Sequence, residues 1–231
     1  MKKKIWWIGG FCILLMSAFY FFLFAGTDYY KAKLPVLSYV QDFSFTDQDG
    51  KQITNRNVEG KVYVTEYFFT TCKGICPKMN ANMKTIYEKY KNEPDFAIIS
   101  HTSMPETDSV PLLKAFEQTL LGTTNYTPPA TNWYFVTGSK DSLYKMARES
   151  YLLDNDKNNS MNINDQFIHT QFFAVVDKEG RVRGVYDGLK NDELEKLSKD
   201  IASLLKETKS RKGFNNLPAG RQGSIFSNNP G

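Results

Sequence analysis

Cys72 and Cys76 stand four residues apart in the stretch Phe68-Phe69-Thr70-Thr71-Cys72-Lys73-Gly74-Ile75-Cys76-Pro77. An apolar run precedes them, and the proline behind them fits the first turn of a helix. Positions i and i+4 share one helical face, so both sulfurs can point at one soft cation or, with local adjustment, close a disulfide. Two thiolates suit Cu(I), and zinc is a second chemical option. A helix N-terminus lowers a thiol pKa, and Lys73 between the pair adds one positive charge in favour of thiolate. The bland alternative is a structural disulfide, although a bridge closing so short a loop stabilises little. The spacing differs from the two-residue gap of the common Cys-x-x-Cys redox motif.

The chain has two histidines. His169 leads into the apolar stretch Gln171–Val176, and beside a dithiolate it would complete a three-coordinate site able to hold Cu(II) as well as Cu(I). Its position also suits an ordinary hydrogen-bonded residue at a strand edge. His101 follows Phe96–Ser100 and reads as part of a polar surface loop, His101 to Ser109, at the carboxyl end of a strand. Met79 and Met83 carry thioethers, but they recur with helical spacing and read as core.

These residues need elements to position them. Lys61 to Phe69 is β-branched and aromatic and predicts a central strand ending at the cysteine loop. Met79, Met83, Ile86, Tyr87 and Tyr90 predict a helix that Pro94 stops. Phe96–Ser100 and Trp133–Val136 predict further strands, with helices over Val110–Leu121 and about Ser139–Ser150. Two hairpins are predicted, one around Asp47-Gln48-Asp49-Gly50 and one around Asp177-Lys178-Glu179-Gly180. Asp154 to Asp165 reads as a mobile polar loop. A last amphipathic helix carries Leu194, Leu197, Ile201, Leu204 and Leu205. Alternating strands and helices argue for an α/β sheet layered by helices.

The whole chain has 231 residues, 23% charged and 14% aromatic, enough for one globular domain with appendages. A net charge of +4 with lysines scattered among acids leaves no basic stripe, which argues against nucleic acid as a partner. Three cysteines are too few for a disulfide scaffold. Met1-Lys2-Lys3-Lys4 is cationic, and Ile5 to Gly26 is uncharged and long enough for a membrane-spanning helix of roughly 20 residues. A cleaved signal peptide is the alternative, but Ser17-Ala18-Phe19 and Phe24-Ala25-Gly26 are poor cleavage sites. The lysines keep the N-terminus cytoplasmic, so the remainder faces outward. Cys12, mid-span, reads as a small apolar residue. The expected organisation is a basic end (1–4), an anchor (5–26), a linker (27–37), a folded domain (38–212) and a disordered tail (213–231).

Together these residues resemble the Sco/SenC family of membrane-anchored, thioredoxin-like proteins that help assemble the copper centre of cytochrome c oxidase. The likeness runs from about Phe43 to Leu205. Cys72-Lys-Gly-Ile-Cys76-Pro77 corresponds to the family's Cys-x-x-x-Cys-Pro, and Met104 to Ser109 to its Asp-Pro-x-x-Asp-Thr segment. Thr137-Gly138 and His169 with the hairpin after it also match. Two departures stand out: Ile168 precedes His169 where the family often has Asp, and Met104 precedes Pro105 where it often has an acid. The resemblance implies a thioredoxin-like α/β fold with a central mixed sheet flanked by helices. It implies a copper site of Cys72, Cys76 and His169 and delivery of Cu(I) or Cu(II) to cytochrome c oxidase subunit II. Thiol–disulfide exchange through the same cysteines is the alternative it carries. The implied location is the inner (cytoplasmic) membrane, single-pass, with the C-terminal domain on the periplasmic side.

Overall fold

The computed structural model describes residues 2–24, 34–122, 132–154, 162–163, 168 and 170–207. The chain divides into two compact units, Met1–Leu34 and Pro35–Gly231.

The first unit contains α1 (Lys2–Phe24), a helix of 23 residues with Trp6, Trp7 and Phe11 exposed. Among the described residues no helix is long and apolar enough to cross a membrane. The anchor expected from Ile5–Gly26 therefore rests on its sequence, and residues 25 and 26 lie outside the described ones.

The second unit is built on β4 (Val62–Phe68), whose seven residues are all buried. A strand covered on both faces needs such a continuous run of β-branched and aromatic side chains. β5 (Phe96–Thr102) pairs with it in parallel, and β6 (Trp133–Val136) pairs in parallel with β5. On the other flank β7 (Phe172–Val176) is antiparallel to β4, and β8 (Arg181–Asp187) is antiparallel to β7. The short β1 (Ser38–Tyr39) closes that side, giving the order β1-β8-β7-β4-β5-β6. β2 (Ser44–Thr46) and β3 (Gln52–Thr54) form the first predicted hairpin, and α2 (Asn55–Val58) follows it directly.

Side-chain alternation sorts β4 into two faces. Tyr63 and Tyr67 join Ala97, Ile99, Phe45, Tyr144 and Tyr151 in one core. Phe68 points the other way, stacking on Phe116 of α4 (Val110–Leu121) at 5.0 Å and meeting Phe135 at 5.6 Å. α3 (Cys76–Tyr90) packs on that second face through Tyr87 against Trp133 and Tyr90 against Phe96. α5 (Lys140–Lys145) runs into a π-helical turn at Met146–Ser150, and α6 (Asn191–Lys206) buries Leu197, Ile201 and Leu204.

The free edge of β6 is covered by the first hairpin. Thr46 and Thr137 exchange two backbone hydrogen bonds of 2.9 Å. The Gln48 amide adds a surrogate strand partner, accepting from Phe135 N–H (2.9 Å) and donating to Trp133 O (3.1 Å). Gly138 is needed beside this contact, because a Cβ there would lie 2.8 Å from the Phe45 ring. The predicted strands and helices are found within a residue or two of their expected ends. The polar loop Asp154–Asp165 lies almost wholly outside the described residues, and the 213–231 tail entirely so.

Candidate dithiol site

β4 ends at Phe68, whose carbonyl accepts the last ladder bond from Ser103 N–H at 2.8 Å, just past the end of β5. The chain then turns, Cys72 N–H donating to Phe69 O at 3.2 Å, and enters α3 at Cys76 with Pro77 in the first turn. Cys72 is half-buried, Cys76 is only 4% exposed, and both are free thiols. The two thiols are close enough for each to bear on the other's proton, so the pair comes together as its spacing predicts.

The protonation behaviour of the pair reverses one expectation. Burial, first of all, pushes the Cys76 thiol up to about 12. The hydrogen bond to Cys72, the Cys72 charge and the nearby Glu66 charge add to this, and the Phe69 N–H that donates to the sulfur opposes it. A helix N-terminus and Lys73 were expected to favour thiolate. At Cys76 desolvation outweighs both, since Lys73 is exposed and its charge is spent largely on water.

Glu66 is a site residue that motif reading missed. It is fully buried in β4, and Ser100 Oγ donates to its Oε1 at 2.8 Å. Trp133 Nε1 in turn donates to Ser100 Oγ at 2.9 Å, while Glu66 Oε2 has no hydrogen-bond partner among the described residues. Burial raises the carboxyl to about 7 against the opposing Ser100 bond. The signal was available: a lone acid inside Val62–Phe68, where every neighbour reads as core.

Asp108 also gains a role that its place in the Met104–Ser109 segment did not reveal. Its carboxylate is completely buried and accepts from Thr70 N–H, Thr70 Oγ1 and Thr102 Oγ1.

His101 is not a loop residue. β5 continues through Thr102, pairing His101 with Tyr67 and with Val136, and the imidazole is fully buried. Its ring stacks on Tyr67 at 5.0 Å and meets Phe45 edge-on, and Nδ1 lies 3.0 Å from Thr65 Oγ1. Burial lowers its pKa to about 3, and alternation places it on the sheet face opposite Glu66. It is a core histidine. Met79 and Met83 are core residues as well, 1% and 0% exposed.

His169 lies outside the described residues. Ile168 before it is buried, and its N–H donates to Tyr144 Oη at 3.3 Å. Tyr144 Oη donates to Ser103 O at 2.9 Å, beside the carbonyl that ends β4. Among the described residues no group of three or more His, Cys, Asp or Glu side chains is arranged to hold a metal.

A mixed sheet flanked by helices, with a reduced Cys-x-x-x-Cys pair at the junction of its central strand and a helix, defines a thioredoxin-like dithiol protein. Residues 32–206 match SCO1/SenC, and the chain belongs to that family. The SCO1 protein homolog of Bacillus subtilis (strain 168) is 33% identical over 173 residues, covering 74% of this chain and 85% of that protein. The structure of BsSco, described as a Sco-family cytochrome c oxidase assembly protein with a disulfide switch, is similar with a TM-score of 0.60. It is 32% identical, covering 76% of this chain and 98% of that one. Arabidopsis thaliana ScoI, solved with copper bound, shares the fold with a TM-score of 0.54 at 21% identity, covering 72% of this chain and 99% of its own.

Proposed function

We propose that this protein is a membrane-anchored copper metallochaperone for assembly of the copper centre of cytochrome c oxidase. Cys72 and Cys76 hold the metal as thiolates, and His169 is the third ligand. The observation that carries this reading is the pairing of the two reduced sulfurs at the end of β4, one half-exposed and one buried. That donor set fits a soft cation, because thiolate sulfurs are soft ligands, and copper must displace the Cys76 proton as it binds. The half-exposed Cys72 gives a recipient's thiolate access to the metal, so copper can pass through shared sulfur ligands. The tie from Ile168 through Tyr144 to Ser103 supports a histidine ligand at position 169. Copper in a plant Sco protein and oxidase assembly in BsSco agree with it. Subunit II of the oxidase is the recipient in this reading. The anchor is the charge-free run from Ile5 to Gly26 behind Lys2–Lys4, which leaves the dithiol domain on the periplasmic side.

A second reading is favoured by the asymmetry of the thiols. In a thiol–disulfide oxidoreductase the half-exposed Cys72, as thiolate, attacks a substrate disulfide, forming a mixed disulfide and releasing one substrate thiolate. Cys76 then loses its proton and attacks the Cys72 sulfur, releasing the second substrate thiolate and leaving a Cys72–Cys76 disulfide. His169 has no part in that sequence.

Copper titration of the reduced, detergent-solubilised chain beside a His169→Ala variant separates the two. One copper per chain, with affinity at least tenfold weaker in the variant, is expected. Weak binding that the variant leaves unchanged would discard the three-ligand site in favour of disulfide exchange.

A further inference from the structure

Asp108 sits where β5 turns toward α4, and its buried carboxylate reaches across to the cysteine loop. Thr70 N–H donates to both oxygens, at 3.4 and 3.2 Å, and Thr70 Oγ1 donates to Oδ1 at 2.6 Å. Thr102 Oγ1 donates to Oδ2 and itself accepts from Met104 N–H at 2.9 Å, while Asp108 N–H donates to Met104 O at 2.9 Å. The carboxylate is thus fixed within its own turn and ties that turn to a residue two positions before Cys72. Thr70 lies inside the short turn closed by the Cys72 N–H to Phe69 O bond. Among the described residues, a Cβ built on Gly74 on the far side of the loop would meet nothing within 4 Å.

We propose that Asp108 is the positioning residue of the dithiol: by holding Thr70, its carboxylate sets how Cys72 stands relative to Cys76. The inference rests on the reading of Cys72 and Cys76 as the working pair, and it requires no metal. A buried acceptor with several donors is hard to replace by water, so its loss frees the loop while the sheet beneath it persists. Cys72, half-exposed and carried by the loop, moves with it. Cys76, inside α3, does not.

The test equilibrates the full chain, carrying Cys12→Ser so that the exposed third thiol takes no part, in detergent with mixtures of reduced and oxidised glutathione. The dithiol gives two electrons and two protons to glutathione disulfide, yielding the Cys72–Cys76 disulfide and two glutathione thiols. Asp108→Ala is expected to shift the equilibrium constant at least tenfold, about 30 mV for a two-electron couple, with the far-UV circular dichroism unchanged. Asp108→Asn, whose Oδ1 still accepts from Thr70, is expected to stay within threefold of the parent. A folded Ala variant with the parent's equilibrium overturns the proposal, and so does an Asn variant shifted as far as Ala. Should the Ala variant unfold, Thr70→Val removes the hydroxyl donor alone; a shift of at least threefold is expected, and an unchanged equilibrium is equally fatal. Because the readout contains no copper, a parent chain that fails to bind copper would sink the chaperone reading and leave this result standing.

Discussion

The chemistry of the dithiol turns on the difference between two identical side chains four residues apart. Cys76 is buried, and its thiol is pushed up to about 12, so at pH 8 it is held in its protonated form. Cys72 faces solvent enough to react. With Cys72→Ser and Cys76→Ser variants, each also carrying Cys12→Ser because Cys12 is a free, exposed thiol, iodoacetamide at pH 8 is expected to modify the lone Cys72 at least tenfold faster than the lone Cys76. Equal rates would show that burial does not govern the pair. The two cysteines and their mutual approach were legible from spacing, because helix geometry is local. Their difference was not, because burial depends on what the sheet and α3 bring together around the second sulfur. Glu66 and Asp108 teach the same lesson. Each is visible as an acid in the chain, yet what it faces is set by β5 and its following turn.

At the scale of elements, the sheet has one edge that a side chain covers. Gln48 reaches β6 from the hairpin turn between β2 and β3 and bonds both Phe135 N–H and Trp133 O, and its amide also donates to Glu117 at 3.0 Å. Gln48→Ala leaves a buried backbone donor and acceptor without these partners, at about 1–3 kcal/mol for each group that stays unsatisfied. A fall in the urea midpoint with an unchanged slope is expected, and a midpoint equal to the parent's would show that water replaces the amide. The turn itself was readable, since Asp47-Gln48-Asp49-Gly50 between alternating strands is a hairpin signal. The use of its glutamine was not, because β6 is some 85 positions away in the chain. His101 is the one element-level error. Its polar side chain suggested a loop, but the ladder with Tyr67 and Val136 carries the strand two residues further and closes aromatic rings over the imidazole.

For the whole molecule, two buried titratable groups on opposite sheet faces set opposite pH dependences. His101 has its folded pKa lowered to about 3 from 6.5, so the stability it contributes is complete above about pH 6.5 and is lost as pH falls toward 3. Glu66 has its folded pKa raised to about 7 from 4.5, so its contribution is complete below about pH 4.5 and is lost as pH rises through 7. Urea unfolding from pH 3.5 to 8 is expected to show the acid-side loss flattened in His101→Gln and the loss between pH 4.5 and 7 flattened in Glu66→Gln. Parallel profiles for parent and variants would show that neither group is held in its neutral form.

The sequence by itself determined the order of strands and helices, the two hairpins, the dithiol at the end of the central strand and the family. All of these are carried by short-range patterns: periodicity, turn residues and a fixed cysteine spacing. Tertiary structure alone decided that Cys76 is the buried thiol, that Glu66 lies in its field, that His101 belongs to the core and that Asp108 reaches back to the cysteine loop. Those facts come from pairing β4 with β5 and laying α3 over them. Desolvation and long-range hydrogen bonds exist only once residues remote in the chain are packed side by side.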